Sequence, residues 1–365
     1  MAAAEMKSYQ NLFRLLSLIL QSRPLPPLST EERIEALTLA EKNGVLSILA
    51  ASEEFLSSCP EILKNALTAK LFAFVQKQTA QEYESKRVAE ALKDHSIRYM
   101  LLKGSVIRRL YPKPEMRVSG DVDLLYDKNF RSEMREIMKA CGFERTNADP
   151  NHDVFKKGVV KMEMHHNLTQ TEPGASYYSD LWDRLEKKEG TEYAFSKEDF
   201  LVFHFYHARK HFITGEMDLR MLTDLFLMEK NWRFDRAALA EKLALLNLSG
   251  FAARMESLVD CLSGGEGAEE DEIFFRYAFL SRRDLSSSYF AYQNKKGGKI
   301  GYAASRAFPP YSYMKEKYPA VAKCPPLLPF AWLYRLLRYL FRGRKSVNTD
   351  SPDKEAVAYF ETLGI

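Results

Sequence analysis

Two textures of apolar and polar positions succeed one another along this chain. Through roughly the first ninety residues, apolar side chains recur at helical spacing with charged ones between them. Ser29, with Glu32 three positions later, forms a capping-box pattern that opens an amphipathic segment. Pro60 suits the first turn of a long helix reaching toward Asp94. At "IRYMLLKGS", Ile97 to Ser105, the pattern shifts to an apolar, partly β-branched run. It predicts a strand that Lys103-Gly104-Ser105 turns into the short helix "SVIRRLY". "GDVDLLY" reads as a strand, "NFRSEMREIMKACG" as a helix capped by Gly142, and "HDVFKKGVVKMEMHHNL" as a hairpin turning at Lys157-Gly158.

Helical spacing then returns. Ser196 and Asp199 open "KEDFLVFHFYHARKHFI", which ends near Gly215, and "LRMLTDLFLMEK" and "RAALAEKLALLNL" follow. "SGGEGAEEDE", Ser263 to Glu272, predicts a linker with a solvated acidic run, and "NKKGGK" near Asn294 a loop. The expected organisation is an N-terminal helical region over 1–95, a mixed α/β core over 96–190 and a helical domain over 191–262. A C-terminal region over 263–365 completes it. Beyond Pro329, "FAWLYRLLRYLFRGRKS" sets Arg335, Arg338 and Arg342 on one face. Two readings stand for 325–345: a peripheral helix on an anionic membrane, or a helix docked on the protein with its arginines in water.

Composition narrows the partners only a little. A net charge of +4 over 365 residues is too weak to indicate nucleic acid, and no basic groove interleaved with aromatics is visible. Cys59, Cys141, Cys261 and Cys324 are scattered, without a CxxC pair, and read as reduced thiols. Glu5 stands where a signal peptide would be basic, and no apolar run has transmembrane length. A cytoplasmic protein is expected.

The chemistry concentrates in "LLKGSVIRRLYPKPEMRVSGDVDLLY", Leu101 to Tyr126. Residues i and i+2 of a strand share a face, so Asp121 and Asp123 project together. Adjacent carboxylates repel unless a cation lies between them, and hard oxygen ligands favour Mg²⁺. Glu163, sharing a face with Lys161 and His165 on the hairpin, offers a third carboxylate, enough for two metal ions. Gly104 allows close backbone approach to a phosphate, Ser105 can meet a phosphate oxygen, and Lys103 and Arg117 are cations for a triphosphate or pyrophosphate.

These residues resemble the bacterial uncharacterised nucleotidyltransferase family, within the DNA polymerase β-like nucleotidyltransferase superfamily. The resemblance runs through Leu102-Lys103-Gly104, Tyr111-Pro112, Arg117, Gly120-Asp121-Val122-Asp123-Leu124 and Glu163-Met164-His165. It continues at His207-Ala208-Arg209-Lys210-His211, and Asp224 suits the later acidic position. It implies an α+β fold with a mixed-sheet core flanked by helical regions. It also implies an NTP substrate, with Gly104 and Ser105 at the phosphates and Mg²⁺ on Asp121, Asp123 and Glu163. His165, His207, Lys210 and His211 would contact phosphate or acceptor. Sixteen positions separate Ser105 from Asp121, longer than is usual in the superfamily.

Three functions are consistent with this reading. The first is an Mg²⁺-dependent transfer of an NMP from an NTP to an unidentified acceptor, releasing pyrophosphate. The second is a non-catalytic nucleotide-binding or scaffold protein of the same fold. The third is a metal phosphohydrolase centred on His204, His207 and His211, which share one helix face.

Overall fold

The computed structural model describes residues 2–149, 151–266, 268–281, 283–286, 288, 289, 292, 314, 318, 321, 324–341 and 353–364. The loop near Asn294 and the side chains of Arg335, Arg338 and Arg342 lie outside this set. The architecture is α+β: one seven-stranded mixed sheet with helices on both faces. In chain order the strands are β1 (Tyr99–Leu101), β2 (Val122–Tyr126), β3 (Glu144–Ala148), β4 (His152–Lys157), β5 (Val160–His165), β6 (Glu186–Lys187) and β7 (Glu192–Ala194). In space they run β3-β4-β5-β2-β1-β7-β6. The β4–β5 hairpin turns at Gly158, whose φ of +56° suits a residue without a side chain. β6 and β7 are too short to leave an alternating signature, and the sequence reading missed them.

Local signals set the helix boundaries. In α2 (Thr30–Lys42) the Ser29 hydroxyl accepts from the Glu32 amide, and the Glu32 carboxylate accepts from the Ser29 amide. The long α5 spans Glu61–Asp94 directly after Pro60. α10 (Lys197–Thr214) starts on the Ser196 hydroxyl and stops at Gly215 in the left-handed region. The expected linker at Ser263–Glu272 needs correction. α13 (Ser249–Ser263) gives way to α14 at Glu269–Phe275, and Asp271 is fully buried rather than solvated. Its carboxylate accepts from the Ser257 hydroxyl and the Ala268 amide, which satisfies it inside the protein.

Two apolar cores lie on opposite faces of the sheet. Leu124, Tyr126 and Val122 pack with α5 and α7 (Arg131–Ala140) on one side. Met100, Leu102 and Leu125 join the helical body on the other. That body unites the N-terminal helices with those after residue 196: Tyr9 of α1 (Ala2–Leu20) meets Phe275 edge-on, with ring centroids 5.0 Å apart. A late helix, Lys354–Leu363, buries Phe360 in the same core. The helix Leu328–Phe341 exposes Phe330, Leu333 and Tyr334. No described helix is long and apolar enough to cross a membrane.

Sheet and helical body are tied by a buried ion pair. Arg117, in the loop before β2, donates from Nε to Asp224 Oδ1 at 2.7 Å and from Nη2 to Oδ2 at 2.8 Å, and Asp224 lies in α11 (Leu219–Asn231). Tyr111 Oη also donates to Asp224 Oδ1. Nη1 is engaged by the Val118 carbonyl and the Ser119 hydroxyl. Burial alone would lower the guanidinium's pKa, but Asp224 outweighs it and holds the group charged. Removing one partner of such a pair leaves a buried charge uncompensated. Asp224→Ala is therefore expected to lower unfolding free energy by about 3–5 kcal/mol in urea titrations. A loss under about 1 kcal/mol would show that the pair is not buried as described.

Candidate functional site

The parallel pairing of β2 with β5 sets Asp123 beside Glu163, in register. Both face the helical body, as does Asp121 immediately before β2, while Val122 points to the α5 side. Thus the three carboxylates picked out in the sequence converge. Two ammonium groups hold them together. Lys161 Nζ donates to Asp121 Oδ2 at 2.9 Å and to Glu163 Oε1 at 2.7 Å. Lys103 Nζ donates to Asp123 Oδ1 at 2.7 Å, and the same oxygen lies 3.0 Å from His165 Nε2. The cluster is open at one end and closed at the other: the side chain of Asp121 is 29% exposed and that of Asp123 only 6%.

The charge states follow from this geometry. Burial pushes the Asp123 carboxyl up, but Lys103 and His165 together hold it well below the usual carboxylate range. For Glu163, burial and the neighbouring Asp123 push upward, and Lys161, His152 and Lys103 bring the net shift down. Burial is the largest single influence on Lys103 and lowers it, but Asp123, Glu163 and Asp121 together raise it by more, so it stays an ammonium. Lys161 and Lys103 thus give each of the three carboxylates an ammonium partner.

The Lys103-Gly104-Ser105 turn lies at the end of β1. Lys103 adopts φ 46° and ψ −122°, an unusual backbone for a residue with a side chain. Gly104 is required by contact: a Cβ there would stand 2.2 Å from Ser119 Oγ, the atom Arg117 holds. The Ser105 amide donates to the Leu102 carbonyl, closing the turn. Ser105 borders a cleft of about 630 Å³ between α5 and β1, shared with Arg108, Arg109, Lys86 and Val122. None of the three carboxylates lines that cleft, because they occupy the opposite face of the sheet. Arg117 does not serve as the expected phosphate cation, since every nitrogen of its fork is engaged by Asp224, Val118 or Ser119.

α10 covers the closed end. His207 and His211 face one another, Nε2 to Nε2 at 3.0 Å, near Lys103, and Lys210 is exposed beside them. Burial first and the Lys103 ammonium second hold His207 well below the ordinary imidazole value. His204 separates from them: its Nε2 pairs with the Met221 carbonyl at 3.0 Å inside the helical body. Among the described residues these three histidines do not form a three-ligand group, so the phosphohydrolase reading loses its centre. The sequence reading overlooked His152, which opposes His165 across the hairpin with ring centroids 4.8 Å apart. Alternation along β4 was its signal: His152, Val154 and Lys156 share the face of Glu163.

The histidines set a pH dependence. His152, His204, His207 and His211 are lowered chiefly by burial, and burial with nearby Arg131 brings His166 down to about 4. Unfolded imidazoles titrate near ~6.5, so below that pH the unfolded chain binds more protons than the folded one. Their contribution is complete above the unfolded value and is lost as pH falls through the folded values. The urea midpoint should therefore drop from about pH 7 to about pH 5, and drop less in His207→Gln. Equal drops in both proteins would count against a neutral, buried His207.

None of the curated proteins compared with the chain matches it. Among solved structures, the solution structure of the antibiotic-resistance factor ANT(2'')-Ia is similar at 15% identity, over 49% of this chain and 95% of that one. Its TM-score of 0.35 is too low for anything to rest on the likeness. The sequence pattern of the uncharacterised nucleotidyltransferase family, by contrast, matches residues 30–264, well over half of the chain. That span takes in the carboxylate face, the Lys103-Gly104-Ser105 turn and α10, and the chain belongs to the uncharacterised nucleotidyltransferase family.

Proposed function

We propose that the chain transfers a nucleoside monophosphate from an NTP to an acceptor and releases pyrophosphate. One observation carries this reading: Lys161 Nζ sits between Asp121 Oδ2 and Glu163 Oε1, and Glu163 is in register with Asp123. An ammonium bound by two carboxylates marks a place where a cation with oxygen ligands fits. Mg²⁺ suits that donor set, held by Asp121, Asp123 and Glu163, with room for two ions among three carboxylates. When bound, Mg²⁺ neutralises charge on the phosphate oxygens and on the leaving pyrophosphate.

The residues of the chain do the rest. Lys161 and Lys103, already at this face, would supply positive charge for the triphosphate. Of the Lys103-Gly104-Ser105 turn, Lys103 is the residue that reaches the carboxylate face, while Ser105 opens to the cleft on the other side of the sheet. The acceptor oxygen forms a bond to the α-phosphorus while the α–β bridging P–O bond breaks and pyrophosphate departs. The acceptor proton passes to Glu163 Oε2, which faces the imidazoles of His152 and His165. Arg117 acts at one remove, fixing Ser119 against Gly104. An acceptor would arrive at the open end, where the Asp121 and Lys161 side chains are partly exposed, away from His207, Lys210 and His211 at the closed end.

The test supplies each α-labelled NTP with Mg²⁺ to the full chain and a fractionated cell lysate. Label should reach one acceptor fraction as pyrophosphate appears, and Asp123→Asn should slow this on the order of 10³-fold, roughly 4 kcal/mol. Transfer by Asp123→Asn at the wild-type rate would end the assignment. Nucleotide bound without pyrophosphate release would favour the non-catalytic reading.

A further inference from the structure

Glu163 has two differently furnished sides. Oε1 meets Lys161, but Oε2 faces imidazoles: His152 Nε2 lies 3.6 Å and His165 Nε2 3.7 Å away. Ligand atoms of these three side chains all fall within 4.8 Å of one another, the single such trio among the described residues. All three ride on strands, His152 directly opposite His165 and Glu163 two positions before it on the same face. Ligands carried by a sheet hold their spacing better than ligands on loops.

The donor atoms here differ from those around Asp121. Two imidazole nitrogens and one carboxylate oxygen suit first-row transition metals, whereas Mg²⁺ favours oxygen alone. His₂Glu sets with open positions are used for catalytic zinc. Behind His152, Nδ1 lies 3.6 Å from Asp149 Oδ1, a nearby carboxylate charge beyond hydrogen-bond distance. Asp123 Oδ1, 3.0 Å from His165 Nε2, adds an oxygen next to the trio.

We infer that His152, Glu163 and His165 bind a divalent first-row transition metal on the Oε2 side of Glu163. This site goes beyond the transfer reaction proposed above, and because it uses Glu163 Oε2, the oxygen that takes the acceptor proton there, a metal held here and that proton transfer exclude one another. It places a second, softer cation position at the buried end of the carboxylate face, beside the one where Lys161 now bridges Asp121 and Glu163.

Metal-free, full-length protein titrated with Co²⁺ should develop visible d–d absorption that saturates at one equivalent, and calorimetry should show Zn²⁺ binding that persists in excess Mg²⁺. His152→Gln and His165→Gln should lose the Co²⁺ spectrum and weaken Zn²⁺ by more than the ~10–100-fold that loss of a supporting partner costs. Asp121→Asn, which should abolish nucleotide transfer, should keep the spectrum, so failure of either reading shows independently of the other. Paramagnetic shifts of the His152 and His165 ring protons in the unsubstituted protein read the site even if a variant misfolds. Absence of saturable binding, or a spectrum unchanged in His152→Gln, overturns the inference. So does a spectrum lost instead in His207→Gln, which would move the metal to the His207–His211 pair.

Discussion

Three carboxylates on adjoining strands repel one another, and two lysines keep them together. Asp121, Asp123 and Glu163 carry three negative charges on a half-buried surface, where Coulomb energies are several times those in water. Lys161 spans two of them and Lys103 binds the third. Most of the surrounding architecture serves this arrangement. The β2–β5 pairing sets the spacing, the strained turn at Lys103 aims one ammonium, and α10 brings His207 close to that ammonium.

Much of this was legible from residue spacing. Period-two alternation is enough to put Asp121 and Asp123 on one face, and Gly158 fixes the hairpin register that carries Glu163 to that face. Helix limits at Ser29, Pro60, Ser196 and Gly215 followed from capping chemistry, which acts within a few residues. What escaped depends on contacts distant in the chain. Arg117 reads as a free cation until Asp224, more than a hundred residues later, folds against it. Asp271 reads as solvated until Ser257 and Arg254 meet it. Lys161 was visible beside Glu163, but its role as an internal counterion needs the parallel pairing that brings Asp121 within 2.9 Å.

The site also divides its histidines by environment. His204 is absorbed into helix packing, His207 and His211 form a neutral pair at the wall, and His152 and His165 face a carboxylate. Three residues that share a stripe in sequence therefore take two unrelated parts, and a fourth and fifth arrive from the sheet. Stripe membership sets direction, while the neighbour supplied by another element sets chemistry.

The clasp between Arg117 and Asp224 has a mechanical corollary. Swinging α11 off the sheet would strand a guanidinium and a carboxylate in a dry interior, a penalty of several kcal/mol. α11 is therefore held fixed against the loop before β2. Local opening is easier at the rim, where the Asp121 and Lys161 side chains are 29% and 35% exposed.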